Sequence, residues 1–211
     1  MNPKQQFYQK RGQILVKNLQ SRRFEAYYCD TKEEALAKAL ALIPKGASVG
    51  WGGALSAQQI GLMEAVSSPD YRAIDRDKAK SPEAREQAMR DCFSADFFLT
   101  GANGLSLDGQ MVNIDGSGNR VGAIIYGPKN VLVIAGMNKV MDTVEDALHR
   151  ARTIAAPMNK QRFPNGTPCD VTGSCANCKA EGSICNQIVI TRNCRPAGRI
   201  KFILVGEDLG F

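Results

Sequence analysis

Four cysteines near the end of this 211-residue chain are close enough in sequence to bind one metal ion or cluster. The segment 167–185 reads TPCDVTGSCANCKAEGSIC, which gives the spacing Cys169-x5-Cys175-x2-Cys178-x6-Cys185. A Cys-x2-Cys pair directs two sulfurs to the same side of a short turn. Four thiolates gathered in this way can hold a zinc ion or an iron–sulfur cluster, or they can close two disulfides.

The spacing favours an iron–sulfur cluster over zinc. A structural zinc site usually has two Cys-x2-Cys pairs, and this segment has only one. A cluster more often draws its cysteines from one irregular loop, although the spacing here matches neither ferredoxin pattern. Thiols without a metal, free or paired in disulfides, are the third alternative. Cys194 is a fifth candidate ligand, a disulfide partner, or a cysteine with no part in the site. Cys29 and Cys92 are predicted to be small core residues.

A second group of candidate residues lies where predicted strands end. In an open α/β sheet, ligands bind beyond the carboxyl ends of the strands, so these side chains could converge on one cleft. A glycine turn before a helix also leaves N–H groups free for a phosphate or carboxylate, although it could equally be a plain connection. The candidates at strand ends are Gly52, Gly53, Ser56, Thr100, Asn103, Lys139 and Glu207.

The segment NIDGSGNR, residues 113–120, is dense in polar groups between two apolar runs. Asp115, Asn119 and Arg120 could bind a small anion or contact a neighbouring subunit. Ordinary turn chemistry is the alternative, because Asp-Gly and Gly-Asn favour turns. The only histidine, His149, lies within a predicted helix, so the sequence gives no support to a Ser–His–Asp triad.

Helical and strand patterns alternate along the chain and predict the elements that position these residues. Asp108-Gly109 predicts a β-hairpin near 105–125, with a second turn at 116–120 between apolar strands, the second of them formed by the run VGAIIYG. Repeated strand–helix units predict a three-layer α/β fold around a mainly parallel sheet. Helices are predicted at 3–21, 31–43, from 56, at 82–93 and at 143–155, and strands at 24–29, 47–51, 71–75, 95–101, 130–136 and 199–207.

Pro157 is predicted to close the last helix. The cysteines would then lie in an irregular loop, 157–198, before the final strand. We expect a basic N-terminal helix, 1–24, that packs on a single α/β domain, 25–211. That helix carries six basic residues and no acid, while the rest of the chain is neutral.

Composition narrows the class of protein further. A local excess of charge on one helix argues against a nucleic-acid-binding protein. No apolar run reaches the roughly 20 residues of a membrane span, and the first residues lack a secretory signal. A cytoplasmic location is therefore expected, where clustered cysteines are more often metal ligands than disulfides. An exposed hairpin and N-terminal helix make a homodimer plausible.

Several motifs in combination resemble the lactate-utilisation domain family, and the resemblance extends over about residues 10–211. They are GWGGALSAQQIGL, ADFFLTGANGLSLDGQMVNIDGSGNR, GPKNVLVIAGMNKVMDTVEDALHRA and the terminal VGEDLGF. The segment TPCDVTGSCANC…IC is similar to a cysteine-tailed subgroup. The resemblance implies a Rossmann-type sheet like that of the ribose-5-phosphate isomerase and CoA-transferase-like superfamily. Gly52-Gly53-Ala54 stands where a Gly-Gly-Ser turn is expected, so that Ser56 is the hydroxyl that could substitute.

The resemblance also implies a function. Some members of the family belong to an iron–sulfur complex that oxidises lactate, which suggests an accessory or electron-transfer protein acting with iron–sulfur oxidoreductase subunits on a small organic acid. The alternative hypothesis is an enzyme that acts on a small phosphorylated or CoA-linked acid at the strand-end cleft, with structural zinc on the cysteines.

Overall fold

A computed structural model describes all residues, 1–211, and its centre is a six-stranded parallel sheet. The strand order is β1-β10-β7-β4-β2-β3. In chain order these strands are β1 (Glu25–Cys29), β2 (Ser48–Trp51), β3 (Arg72–Ile74), β4 (Phe97–Thr100), β7 (Asn130–Gly136) and β10 (Ile200–Val205). The predicted α/β fold with a mainly parallel sheet is confirmed.

Helices cover both faces of this sheet and make the three layers. The nine α-helices are α1 (Pro3–Ser21), α2 (Lys32–Leu42), α3 (Leu55–Gln59), α4 (Leu62–Ala65), α5 (Pro82–Asp91), α6 (Asn119–Tyr126), α7 (Val144–Arg150), α8 (Ala156–Lys160) and α9 (Pro168–Thr172). Alternate residues of a strand point to opposite faces. Phe202 of β10 packs in the core with α1 and α6, whereas Ile203 packs in the core with α2, α3 and α4.

A second sheet of four strands lies beside the first, in the order β8-β5-β6-β9. Its strands are β5 (Gly104–Ser106), β6 (Met111–Asp115), β8 (Val140–Met141) and β9 (Gln187–Thr191). The predicted hairpin is present as antiparallel β5 and β6. The cysteine segment 157–198, predicted to be an irregular loop, contains β9, which pairs with β6. The prediction is wrong for this part of the segment.

Two further predictions about elements are wrong. The run VGAIIYG forms most of α6 and not a strand, because the Asp115 carboxylate accepts hydrogen bonds from the N–H groups of Arg120 and Val121 and so starts a helix. Pro157 does not close the helix from 143. A π-helical turn at 151–155 carries the chain into α8, and Pro157 lies in the first turn of α8, where a missing N–H is tolerated.

The basic helix α1 is bound to the rest of the chain. Leu15 and Leu19 are fully buried beneath it. Its basic groups also meet carboxylates elsewhere: Lys4 pairs with Asp208 at 2.6 Å and Arg11 with Asp142 at 2.6 Å. These pairs balance part of the local charge excess within the molecule itself. None of the helices has the length and apolar character needed to cross a bilayer.

Candidate functional site

Lys139 and Ser56 meet at the carboxyl ends of the central strands. Lys139 follows β7 and is 4% exposed, and its Nζ donates a hydrogen bond to Ser56 Oγ at 3.1 Å. Gly101, just after β4, lies beside them, since a Cβ there would be 3.9 Å from both polar atoms. The structure therefore brings together two residues that the sequence singles out at different strand ends.

Arg120 is buried nearby but is bound to other groups of the protein. Its guanidinium donates to Asn113 Oδ1 at 2.7 Å, to Asn103 Oδ1 at 2.9 Å, and to the carbonyl oxygens of Gly101 and Ile114 at 3.3 and 2.6 Å. The Asp115 carboxylate is 4.0 Å from Arg120 Nε. Burial lowers the pKa of Arg120, and Asp115 opposes this effect. Arg120 and Asn103 thus join β5, β6 and α6.

The other residues predicted to bind a ligand lie at separate positions around the strand ends. Thr100 is buried and donates to the carbonyl oxygen of Gly101. Gly52 lies against Arg120, where a Cβ would be 3.1 Å from the arginine Cβ, and Gly53 has more room. Asn119 is half-buried at the start of α6.

Glu207 does not converge with Lys139 as predicted. Its carboxylate accepts a hydrogen bond from the N–H of Lys32 at 2.9 Å and pairs with Lys32 Nζ at 3.3 Å. A carboxylate is stabilised at a helix N-terminus by the exposed N–H groups and the helix dipole. This position at the start of α2 accounts for the different orientation of Glu207.

Arg150 of α7 is a member of the site that the sequence analysis missed. It is 6% exposed and donates to the carbonyl oxygens of Asn103 and Asn138, at 2.7 and 3.1 Å. Asn103 therefore accepts hydrogen bonds from two arginines, from Arg120 at its side-chain oxygen and from Arg150 at its main-chain oxygen. Nothing in the sequence marks Arg150, because its role depends on long-range packing of α7 against the strand ends.

Positive charge is in excess around Lys139. Burial, and then the charges of Arg150 and Arg120, lower the pKa of Lys139 from 10.5 to about 7. Asp115 is the acidic group close to Arg120, and Arg150 donates to the main-chain oxygens of Asn103, Asn138 and, at 3.3 Å, Phe211. A buried charge is costly unless an opposite charge compensates it, so this end of the sheet favours an anion.

The last residues of the chain cover Lys139 and Ser56. Gly210 lies so close that a Cβ on it would be 2.8 Å from both Lys139 Nζ and Ser56 Oγ. This segment is held by hydrogen bonds from Leu209 N–H to Asn138 Oδ1 at 3.1 Å and from Gly210 N–H to Gln59 Oε1 at 2.6 Å. Access to the pair therefore requires movement of residues 207–211.

The four predicted ligand cysteines line one cavity of about 70 Å³. Cys175 is exposed, and Cys169, Cys178 and Cys185 are half-buried. Burial, and then the neighbouring Cys169, Cys175 and Cys178, raise the pKa of Cys185 to about 11. No three Cys, His, Asp or Glu side chains are drawn together as the ligands of one ion are. The thiols surround a space and do not meet at a point.

Two basic residues that the sequence analysis did not identify also line this cavity. Lys160 is 1% exposed, and its Nζ donates to the carbonyl oxygens of Phe163 and Gly182 at 2.8 and 3.0 Å. Arg152 donates to Asn177 Oδ1 at 2.7 Å. These hydrogen bonds connect the helix before the cysteine segment to two parts of that segment.

Cys194, Cys29 and Cys92 lie outside the cavity lining and are buried in the cores. Cys194 donates from Sγ to the carbonyl oxygen of Pro196 at 3.1 Å and accepts from the N–H of Ile200 at 3.3 Å. It therefore has a local structural role in leading the chain into β10.

Comparison with known proteins agrees with this architecture. No curated protein matches the chain. The structure is similar to that of a DUF162 family protein from Deinococcus radiodurans, with a TM-score of 0.54 and 11% sequence identity over 94% of this chain and 97% of the other. At that identity the likeness concerns the fold alone. The model of the LUD domain matches residues 12–205, so the chain belongs to the LUD domain family.

Proposed function

We propose that this lactate-utilisation-type protein is an accessory or electron-transfer component of organic-acid oxidation, with an iron–sulfur cluster bound by Cys169, Cys175, Cys178 and Cys185. The observation that carries the proposal is that these four thiols, and no other cysteine, line one cavity. An iron–sulfur cluster, when bound by such thiolates, supplies one-electron transfer.

The spacing along the chain favours a cluster over zinc. A structural zinc site usually has two Cys-x2-Cys pairs, and this segment has only one. An iron–sulfur cluster more often draws its cysteines from one irregular loop, and the four cysteines that line this cavity come from one segment of the chain.

The basic residues of the cavity suit an anionic group. Thiolates carry negative charge, and Arg152 lowers the pKa of Cys185, against the effects of burial and the other thiols. Lys160 is near enough to line the same space while it ties Gly182 to Phe163. These residues would offset charge and hold the loop that bears the thiols.

Exposed apolar side chains occur in the segments that form the cavity, and we infer that a protein partner covers them. Val171 is 75% exposed, Ile188 48% and Met158 46%, and Ile188 itself lines the cavity. Apolar side chains grouped on a surface mark interaction sites more often than chance. The partner that fits the proposed function is a subunit of an iron–sulfur oxidoreductase.

The alternative function, an enzyme acting on a small phosphorylated or CoA-linked acid, has less support. It relies on Lys139 and Ser56, which are together. It also needs an acid at the same place, and Glu207 is bound to the start of α2.

Metal analysis of anaerobically purified protein tests the proposal. We expect about two to four iron atoms and as much acid-labile sulfide per chain. Cys178→Ser is expected to lose most of both, because it removes a ligand from the cavity. Cys29→Ala is the matched control, since Cys29 is buried elsewhere, and should keep the metal. Colourless, metal-free protein would contradict the cluster, and zinc without sulfide would favour the alternative.

A further inference from the structure

The strand-end site around Lys139 contains more positive charge than its own residues balance. Arg120 comes from α6, Arg150 from α7 and Lys139 from the end of β7. Asp115 is near Arg120, while Asp208 of the covering segment is held away by Lys4 and Tyr8, at 2.6 and 2.7 Å. An anion bound at Lys139 would relieve the repulsion among these cations.

Lys139 and Ser56 also have the right donors for a carboxylate. A lysine ammonium has three N–H donors, and Lys139 uses one of them on Ser56 Oγ. Its Nζ and the serine hydroxyl lie 3.1 Å apart, so the two oxygens of a single carboxylate can accept from both. Gly101 and Gly210 keep Cβ atoms out of the surrounding space.

The position in the fold supports a ligand site. The pair lies beyond the carboxyl ends of β2, β4 and β7, which are neighbours in the central sheet. Open α/β sheets bind ligands at this edge. The covering residues 207–211 are not part of the sheet. They are held by the buried side chain of Leu209, by the bonds of Glu207 and Asp208, and by hydrogen bonds at Gly210 and Phe211, so a ligand has to displace the segment against these contacts.

We propose that Lys139 and Ser56 bind the carboxylate of a small organic acid beneath the C-terminal segment 207–211. The buried cations Arg120, Arg150 and Lys139 favour an anion here, whatever the protein does. The choice of a small organic acid among anions rests on the proposed function. On binding, the ligand displaces Gly210 from Lys139 and Ser56.

Calorimetric titration of the wild-type protein with L-lactate and with pyruvate tests this site. The pKa of Lys139 is about 7 without ligand, and a bound carboxylate raises it. Binding should therefore take up about half a proton at pH 7, roughly one at pH 8.5 and almost none at pH 5.5. Affinity should be highest below pH 7 and should fall up to about tenfold per pH unit above it. Titrations in buffers with different ionisation enthalpies measure this uptake.

Variants and probes make the test specific. Lys139→Met is expected to weaken carboxylate binding by about 10- to 100-fold, because it removes a charge-assisted hydrogen bond. Lys129→Met removes an exposed lysine just before β7, at the opposite end of the strand from Lys139, and should leave the affinity unchanged. The uncharged analogue lactamide should not bind.

Two results would overturn the proposal, and neither depends on the stability of a variant. One is carboxylate binding to the wild type without proton uptake at pH 8.5, or no carboxylate binding at all. The other is binding of inorganic phosphate in place of any carboxylate. The titration repeated on Cys178→Ser separates this site from the cysteine cavity, because loss of the cluster should leave carboxylate binding intact.

Discussion

Replacement of Arg120 by methionine is expected to lower the free energy of unfolding by about 3–5 kcal/mol, the cost of breaking a buried, hydrogen-bonded charge. Methionine fills similar space but donates no hydrogen bonds. Asn113 Oδ1 and the carbonyl oxygens of Gly101 and Ile114 would lose a donor in the interior. Urea unfolding measures the loss, and the midpoint temperature should fall by roughly 6–20 °C.

Arg90→Met is the matched control for Arg120→Met. Arg90 is 71% exposed and pairs with Glu86 four residues earlier on α5, an interaction worth about 0.3–0.5 kcal/mol. The free energy of unfolding of Arg120→Lys should lie between those of Arg120→Met and Arg90→Met, because one ammonium cannot reach all of the acceptors that the guanidinium binds. An Arg120→Met protein as stable as Arg90→Met would show that the hydrogen bonds of Arg120 add no net stability.

The parallel sheet could be predicted because its strands are buried on both faces. The segments 130–136 and 199–207 are nearly continuous apolar runs, which is typical of central parallel strands. The run VGAIIYG is just as apolar but forms α6. A short apolar run does not distinguish a strand from a buried helix. The deciding contact is the Asp115 carboxylate on the first N–H groups of α6, which depends on the conformation of the preceding turn.

The candidate sites likewise contain residues whose positions could be predicted from the sequence and residues whose positions could not. The cysteines could be predicted to gather because short turns connect them, and Lys139 and Ser56 because each follows a parallel strand. Arg120 and Glu207 were equally good candidates by position, but the first binds neutral oxygens of the interior and the second binds the start of α2. Such choices between a ligand and the protein's own polar groups depend on packing that spacing along the chain does not encode.

The contribution of the covering segment to stability can be tested at Gly136, the last residue of β7. A Cβ there would lie 2.5 Å from Leu209 N and 2.6 Å from the carbonyl oxygen of Glu207. Gly136→Ala should therefore push residues 207–209 away and break the hydrogen bond from Met137 N–H to Glu207 O, at 3.1 Å. We expect a loss of about 2–4 kcal/mol in the free energy of unfolding from overpacking and the lost bond.

The same displacement should uncover Lys139, and this second effect distinguishes a covering segment from a purely structural one. With a pKa of about 7, Lys139 is a reactive amine near neutral pH once reagents can reach it. Acetylation of Lys139, followed by mass spectrometry, should therefore be faster in Gly136→Ala than in the wild type. Gly53→Ala is the control, because a Cβ at Gly53 would be 4.0 Å from its nearest neighbour and should change neither stability nor labelling. Unchanged labelling in a destabilised Gly136→Ala protein would mean that residues 207–211 do not control access to Lys139.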